Sequence, residues 1–181
     1  MRSNSRRDLI LIATAKVIRD LGADNLTIDL VAKEAGVSKG GVLHHFPNKQ
    51  ALINAMVEES TAHFFDDLRQ RVSNETQQDA GKWSRAYLET TVSYDRENKG
   101  MNESIIATLT MNPDLISIYQ KEYEIIQKNI ENDGIDPVHS TIIRLAMDGL
   151  WFSEILGIGN LNDHLRTKVF EYLINMTYKN E

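Results

Sequence analysis

Between residues 27 and 52 the chain reads TIDLVAKEAGVSKGGVLHHFPNKQAL, and the punctuation of this stretch leaves the backbone little freedom. Thr27 precedes Ile28, Leu30, Val31 and Ala35, apolar positions at helical spacing, so its hydroxyl suits the N-cap of a helix. Gly36 stops that helix. Val37 offers an apolar plug for the inside of a tight turn, and Ser38 is a second N-cap that opens a helix carrying Lys39, Val42, Leu43, His44 and His45. Pro47 disfavours helical geometry at Phe46 and so ends this second helix near His45, after which Asn48 caps a third beginning at Lys49. A short, polar helix propped by two others is the shape that the major groove of DNA admits.

The charge distribution fits one end touching phosphates. Residues 1–50 hold eight Lys and Arg against five acids, whereas the whole chain carries a net charge of −6, so the remainder is acidic. Counterion release depends on local positive charge and not on the overall isoelectric point. The absence of cysteine excludes disulfides, thiolate metal sites and a cysteine nucleophile, and suits a reducing compartment.

Arg2, Arg6 and Arg7 ahead of Leu9-Ile10-Leu11-Ile12-Ala13-Thr14-Ala15 imitate an export signal, but only four positions are strongly apolar where roughly 7 to 15 are needed. Ile10, Ala13, Thr14, Val17, Ile18 and Leu21 instead form one helical stripe ending at Gly22. No run approaches transmembrane length, so the expectation is a soluble, cytoplasmic protein with no membrane partner.

Three prolines and ten glycines in 181 residues leave long uninterrupted runs, which predict an all-α fold. The pattern places about nine helices, at 5–21, 27–35, 38–45, 48–72, 82–97, 102–110, 113–132, 137–156 and 163–178, with ends good to roughly two to four residues. Ser73 to Gly81 is polar and predicts a loop; Pro113 and Pro137 sit where a first helical turn tolerates proline. The fourth helix has Leu52, Ile53, Met56 and Val57 near its start and Phe64, Phe65 and Leu68 further on, so it packs at both ends. From Ile142 to Ile158, and again from Leu161 to Met176, apolar residues occupy more than one helix face. The simplest cover for the surplus face is a second copy, which predicts a homodimer through the last two helices.

No catalytic constellation is visible. His63, His139 and His164 are far apart, and there is no nucleophile elbow, glycine-rich phosphate loop or His/Glu metal spacing, so neither an enzyme, a cofactor nor a metal is expected. His44 and His45 are adjacent and cannot chelate one ion as an i, i+4 pair does; one is expected to face DNA and the other to pack inward.

Over residues 10–52 the chain resembles the TetR family of bacterial transcriptional regulators. The resemblance rests on the stripe from Ile10 to Gly22, Leu26-Thr27, Val31-Ala32, the turn Ala35-Gly36-Val37-Ser38, Lys39-Gly40, His45-Phe46-Pro47-Asn48-Lys49 and Ala51-Leu52. It implies a helix-turn-helix DNA-binding domain over 1–47 and an effector-binding and dimerisation domain over 48–181. By matching position, Thr27 and Lys49 would contact phosphates, while Ser38, Lys39, Gly40, Gly41, Val42, His44 and His45 would lie at or beside the groove. Gly41 stands where many relatives have a small hydroxyl residue, and Leu43 where many have an aromatic, which leaves base reading mainly to Lys39, His44 and His45. The resemblance also implies an effector pocket drawn from Trp83, Tyr87, Tyr94, Met101, Ile105, Leu109, Tyr119, Tyr123, Met147 and Trp151, aromatics with polar tips being suited to an apolar cavity with a few hydrogen bonds. Asp148 sits one turn from Arg144 and is expected to pair with it.

The expectation is a homodimeric repressor that binds a pseudo-palindromic DNA operator and is released by an unknown small-molecule effector. Two alternatives stay open: a DNA-binding regulator without an effector, and a helical small-molecule-binding protein with a vestigial head.

Overall fold

A computed structural model describes residues 5–75, 80–97 and 102–178. Among the described residues the fold is all-α: α1 (Arg6–Leu21), a single 3₁₀ turn (Ala23–Asn25), α2 (Ile28–Ala35), α3 (Lys39–His45), α4 (Lys49–Asn74), α5 (Lys82–Glu97), α6 (Asn102–Met111), α7 (Pro113–Glu131), α8 (Pro137–Leu156) and α9 (Asp163–Met176). The chain forms two compact units. The first takes the described residues of Met1–Ala62 and Asn98–Leu115, and the second those of His63–Glu97 and Ile116–Glu181.

Local chemistry sets the helices of the first unit. Ser5 and Asp8 form a reciprocal capping box at the start of α1, with the Asp8 N–H donating to Ser5 Oγ at 3.2 Å and the Ser5 N–H to Asp8 Oδ2 at 3.1 Å. The face of α1 that buries Ile10, Ala13, Thr14, Val17 and Ile18 is the anticipated stripe, but it ends sooner: Leu11 joins it and Leu21 is half exposed. The 3₁₀ turn after Gly22 packs back against α1 but leaves Leu21 uncovered. α1 packs on α2, and α2 on α3. The first part of α4 contributes Leu52, Ile53, Met56 and Val57 to the interior of this unit.

In the second unit, Phe64, Phe65 and Leu68 of α4 join Tyr87, Leu88, Ile126, Ile130, Ile143, Met147 and Leu173 in one core. The α4 sequence thus carries two separate buried sets, as its apolar spacing predicts. Pro113 and Pro137 do open α7 and α8, and Asp136 caps α8 by accepting from the His139 N–H at 2.9 Å. α4 runs through Asn74, two residues past expectation, into the segment predicted as a loop.

A buried polar knot with no signature in the local residue pattern closes the second unit. Asp133 accepts from the N–H groups of Trp83 and Ser84 at 2.9 and 2.8 Å, satisfying two of the free N-terminal donors of α5. Burial pushes its carboxyl above the usual range, and the two backbone bonds oppose that shift. One residue on, the enclosed Arg85 guanidinium donates to the carbonyl oxygens of Ala80 and Thr177 and lies 4.7 Å from the centre of the Tyr178 ring.

Two glycines with positive φ test this description. A Cβ on Gly36 (φ +67°) meets nothing within 4 Å, whereas one on Gly81 (φ +76°) would fall 2.0 Å from the Thr177 carbonyl oxygen. Gly36→Ala is expected to cost about 1–2 kcal/mol, the left-handed backbone penalty alone. Gly81→Ala adds a clash with backbone and should lose clearly more, at least about 3 kcal/mol; paired urea denaturation curves measure the order.

Candidate DNA-reading helix and tyrosine cluster

The turn between α2 and α3 is built from backbone bonds. Gly36, in the left-handed conformation, donates to the Lys33 carbonyl at 3.3 Å, and Val37 donates to the Ala32 carbonyl at 3.0 Å. Together these form a Schellman closure, which satisfies the last carbonyls of α2 and turns the chain sharply. Caps stand on either side: the Leu30 N–H donates to Thr27 Oγ1 at 3.2 Å and the Gly41 N–H to Ser38 Oγ at 3.0 Å. A Cβ at Gly41 would lie 3.3 Å from Ser38 Oγ, so the glycine keeps that cap uncrowded.

α3 presents a polar exterior over an apolar seat. Val42 is wholly buried, and Phe46, just past the helix, is nearly so. Val42 is therefore placed beneath the helix rather than on its outer surface, because the turn directs the third residue after Lys39 inward. Lys39, Gly40, His44 and His45 are exposed, and Gly41 is half covered. The expectation that one histidine packs inward is corrected: both rings are outside, 5.3 Å apart at 74°, and the interior place belongs to Phe46. Thr27 is exposed beside its cap. Lys49 donates through Nζ to the Asp24 carbonyl at 3.2 Å, and Lys39 Nζ to Asp29 Oδ2 at 2.9 Å.

The effector-pocket candidates divide. Tyr87, Tyr94, Tyr119, Tyr123 and Met147 converge in the second unit, where Trp83 also packs against the core. Phe64 and Phe65 meet the four tyrosine rings edge-on at 5.2–6.3 Å, and Tyr119 stacks on Tyr123 at 4.8 Å. Ile105 and Leu109 are buried in α6, which belongs to the first unit, so they are not part of this cluster. Met101 lies outside the described residues.

Hydrogen bonds run through the cluster. The Tyr87 hydroxyl donates to Asp148 Oδ1 and lies 2.8 Å from that of Tyr123, which in turn accepts from Tyr119 at 3.4 Å. Asp148 also pairs with Arg144 at 2.5 Å, and Arg144 Nε donates to Gln127 Oε1 at 2.7 Å. The Arg144–Asp148 pair is the one its spacing predicts; the tyrosine on the other carboxylate oxygen is not readable from sequence. Burial pushes the three tyrosine hydroxyls well above their ordinary range, which keeps them neutral donors. It also raises the Asp148 carboxyl, against the pull of Tyr87 and Arg144. A groove of about 740 Å³ between α7 and α8 is lined by Tyr123, Gln127 and Arg144 among others. Trp151 is nine-tenths buried and its indole Nε1 finds no acceptor among the described residues.

Among the described residues no three His, Asp or Glu side chains converge to hold a metal, and no helix is long and apolar enough to cross a membrane.

Comparison with known proteins agrees with this geometry. The HTH-type transcriptional regulator BetI of Stenotrophomonas maltophilia is 30% identical over 97 residues, 54% of this chain and 47% of that protein. The nucleoid occlusion factor SlmA of Pasteurella multocida is 25% identical over 96 residues, 53% of this chain and 47% of that one. The chain thus spans about half the length of the curated relatives it matches. The fatty acid degradation regulator FadR of Bacillus halodurans shares the fold with a TM-score of 0.67 at 19% identity, covering 96% of this chain and 97% of that one. A TetR family protein from Vibrio parahaemolyticus does so at 0.64 and 17%, covering 97% and 100%. The pattern of bacterial regulatory proteins of the tetR family matches residues 10–56, and that of tetracyclin repressor-like C-terminal domains matches 81–178, more than half of the chain. The protein belongs to the tetR family of bacterial regulatory proteins.

Proposed function

We propose that the chain is a homodimeric transcriptional repressor, with a DNA-binding domain over 1–47 and an effector-binding and dimerisation domain over 48–181. The observation that carries this reading is α3: a short helix seated on Val42 that exposes Lys39, His44 and His45. Such a helix enters a major groove with its first residues towards the bases, while Thr27 and Lys49 meet phosphates on either side. Two copies place two such helices on half-sites of a pseudo-palindrome.

Self-association is supported by the outer face of α8. Val138, Ile142, Leu145, Phe152 and Leu156 are 45–66% exposed and repeat at alternate steps of four and three residues, the spacing of a helix-helix seam. Gly149 occupies the missing position in that series, and a Cβ there would meet nothing within 4 Å. Leu165 and Tyr172, seven residues apart on α9, extend the apolar surface. A glycine in an exposed helix interior costs about 1 kcal/mol relative to alanine; close approach of a partner helix is a reason to keep it.

An effector is supported by the groove beside Tyr123 and by the Trp151 N–H, which a ligand acceptor would satisfy. A ligand releases the repressor only by binding one arrangement of the dimer more tightly than another. The closed hydrogen-bond chain of Tyr87, Tyr123 and Asp148 favours the second reading, a body that dimerises without an effector, to the extent that these rings are core.

Three outcomes are expected. Lys39→Ala weakens operator binding by about 1–3 kcal/mol if the ammonium reads a base; unchanged affinity across a salt titration removes Lys39 from the contact set. Gly149→Leu leaves the subunit folded, since the position is open, yet moves sedimentation from dimer to monomer. A ligand that binds the body, detected by calorimetry, lowers operator affinity in a gel shift; if saturation leaves that affinity unaltered, release by effector is wrong.

A further inference from the structure

We propose that Asp29 sets the selectivity of the head by holding the Lys39 ammonium off the phosphate backbone until a base edge offers a better acceptor. This rests on the DNA-binding reading above. Asp29 lies in the first turn of α2 and Lys39 opens α3, so the pair bridges the turn from one helix start to the next at 2.9 Å. Both side chains are more than half exposed, at 67% and 57%, and among the described residues neither has another side-chain partner.

An ion pair this open adds little to folding stability, because water screens it and two side chains lose freedom. A carboxylate two residues from Thr27, on a surface that meets phosphates, is also a charge of the wrong sign for affinity. Its effect appears when the duplex arrives. Water is then squeezed out, the local dielectric falls, and the attraction between Asp29 and Lys39 strengthens. On a sequence with no acceptor in register, Lys39 stays with Asp29 and releases no counterion from the DNA. A guanine presenting O6 and N7 gives two acceptors and draws the ammonium away. Asp29 therefore penalises random sequence more than operator, and selectivity is the difference between those two affinities.

The experiment uses the full-length dimer of wild type, Asp29→Asn, Asp29→Glu, Lys39→Ala and the double variant Asp29→Asn/Lys39→Ala. Each is titrated against an operator selected in vitro and against a random duplex, over a range of salt. Asp29→Asn is isosteric, and a thermal melt confirms that it folds. The expected result is a gain of about fivefold on random duplex with less than about twofold on operator, so that the ratio falls. The slope of log affinity against log salt on random duplex should steepen by about 0.9 per head. Asp29→Glu should behave as wild type, and the Asp29→Asn gain should vanish in the Lys39→Ala background. An unchanged ratio and slope in Asp29→Asn overturns the proposal. So does a gain of equal size without Lys39, which would make Asp29 an independent repulsive charge. A wild-type protein that does not distinguish selected from random duplex overturns the DNA reading itself and this inference with it.

Discussion

Helix α3 has seven residues, too few to persist in water, where an isolated helix of fewer than about 12 to 15 residues is marginal. Everything it displays depends on Val42 and Phe46 being buried beneath and beyond it. Phe46 has help from α1, whose Arg7 guanidinium stands 5.8 Å from the ring centre while bonding Glu59 of α4 at 3.0 Å. The exposed histidines and Lys39 thus inherit their positions from an apolar anchor a few residues away. That arrangement lets the outer residues vary without unfolding the head.

The second unit solves a different problem. Its centre holds three tyrosine hydroxyls, a carboxylate and a guanidinium, all groups that are costly to enclose unless bonded. Each neutral hydroxyl spends its donor on a neighbour, and the Asp148 carboxylate is shared between the Arg144 guanidinium and the Tyr87 hydroxyl. Burial there raises the carboxyl while its two partners oppose the rise. A polar network in which every member has a partner defines one arrangement of the rings, which an all-apolar core of the same volume would not.

What was legible in advance was local. Thr27, Ser38 and Asn48 cap the helices they precede, and Gly36 ends α2, because caps and left-handed turns are decided by residues within four positions of one another. Helix periodicity found the body for the same reason. Contacts that cross the chain were not legible. The Asp133 bonds to α5, the Arg85 clasp on Thr177 and the Tyr87–Asp148 bond join residues 49 to 92 positions apart. The expectation that one of His44 and His45 packs inward failed on a finer point: with Val42 already filling the inward position of a helix less than two turns long, the next inward place fell to Phe46, after the helix had ended.

The gap at Gly149 would, in the proposed dimer, have a consequence for fidelity among paralogues. A bacterium that carries several regulators of one architecture must keep their subunits from mixing. In the dimer proposed above, a seam with its notch at Gly149 would accept only a neighbour able to bring its own backbone into that hollow, and a bulky residue on a foreign subunit would hold the two apart. One absent side chain would in this way act as a lock on self-recognition, at the cost of a little helical stability in the lone subunit.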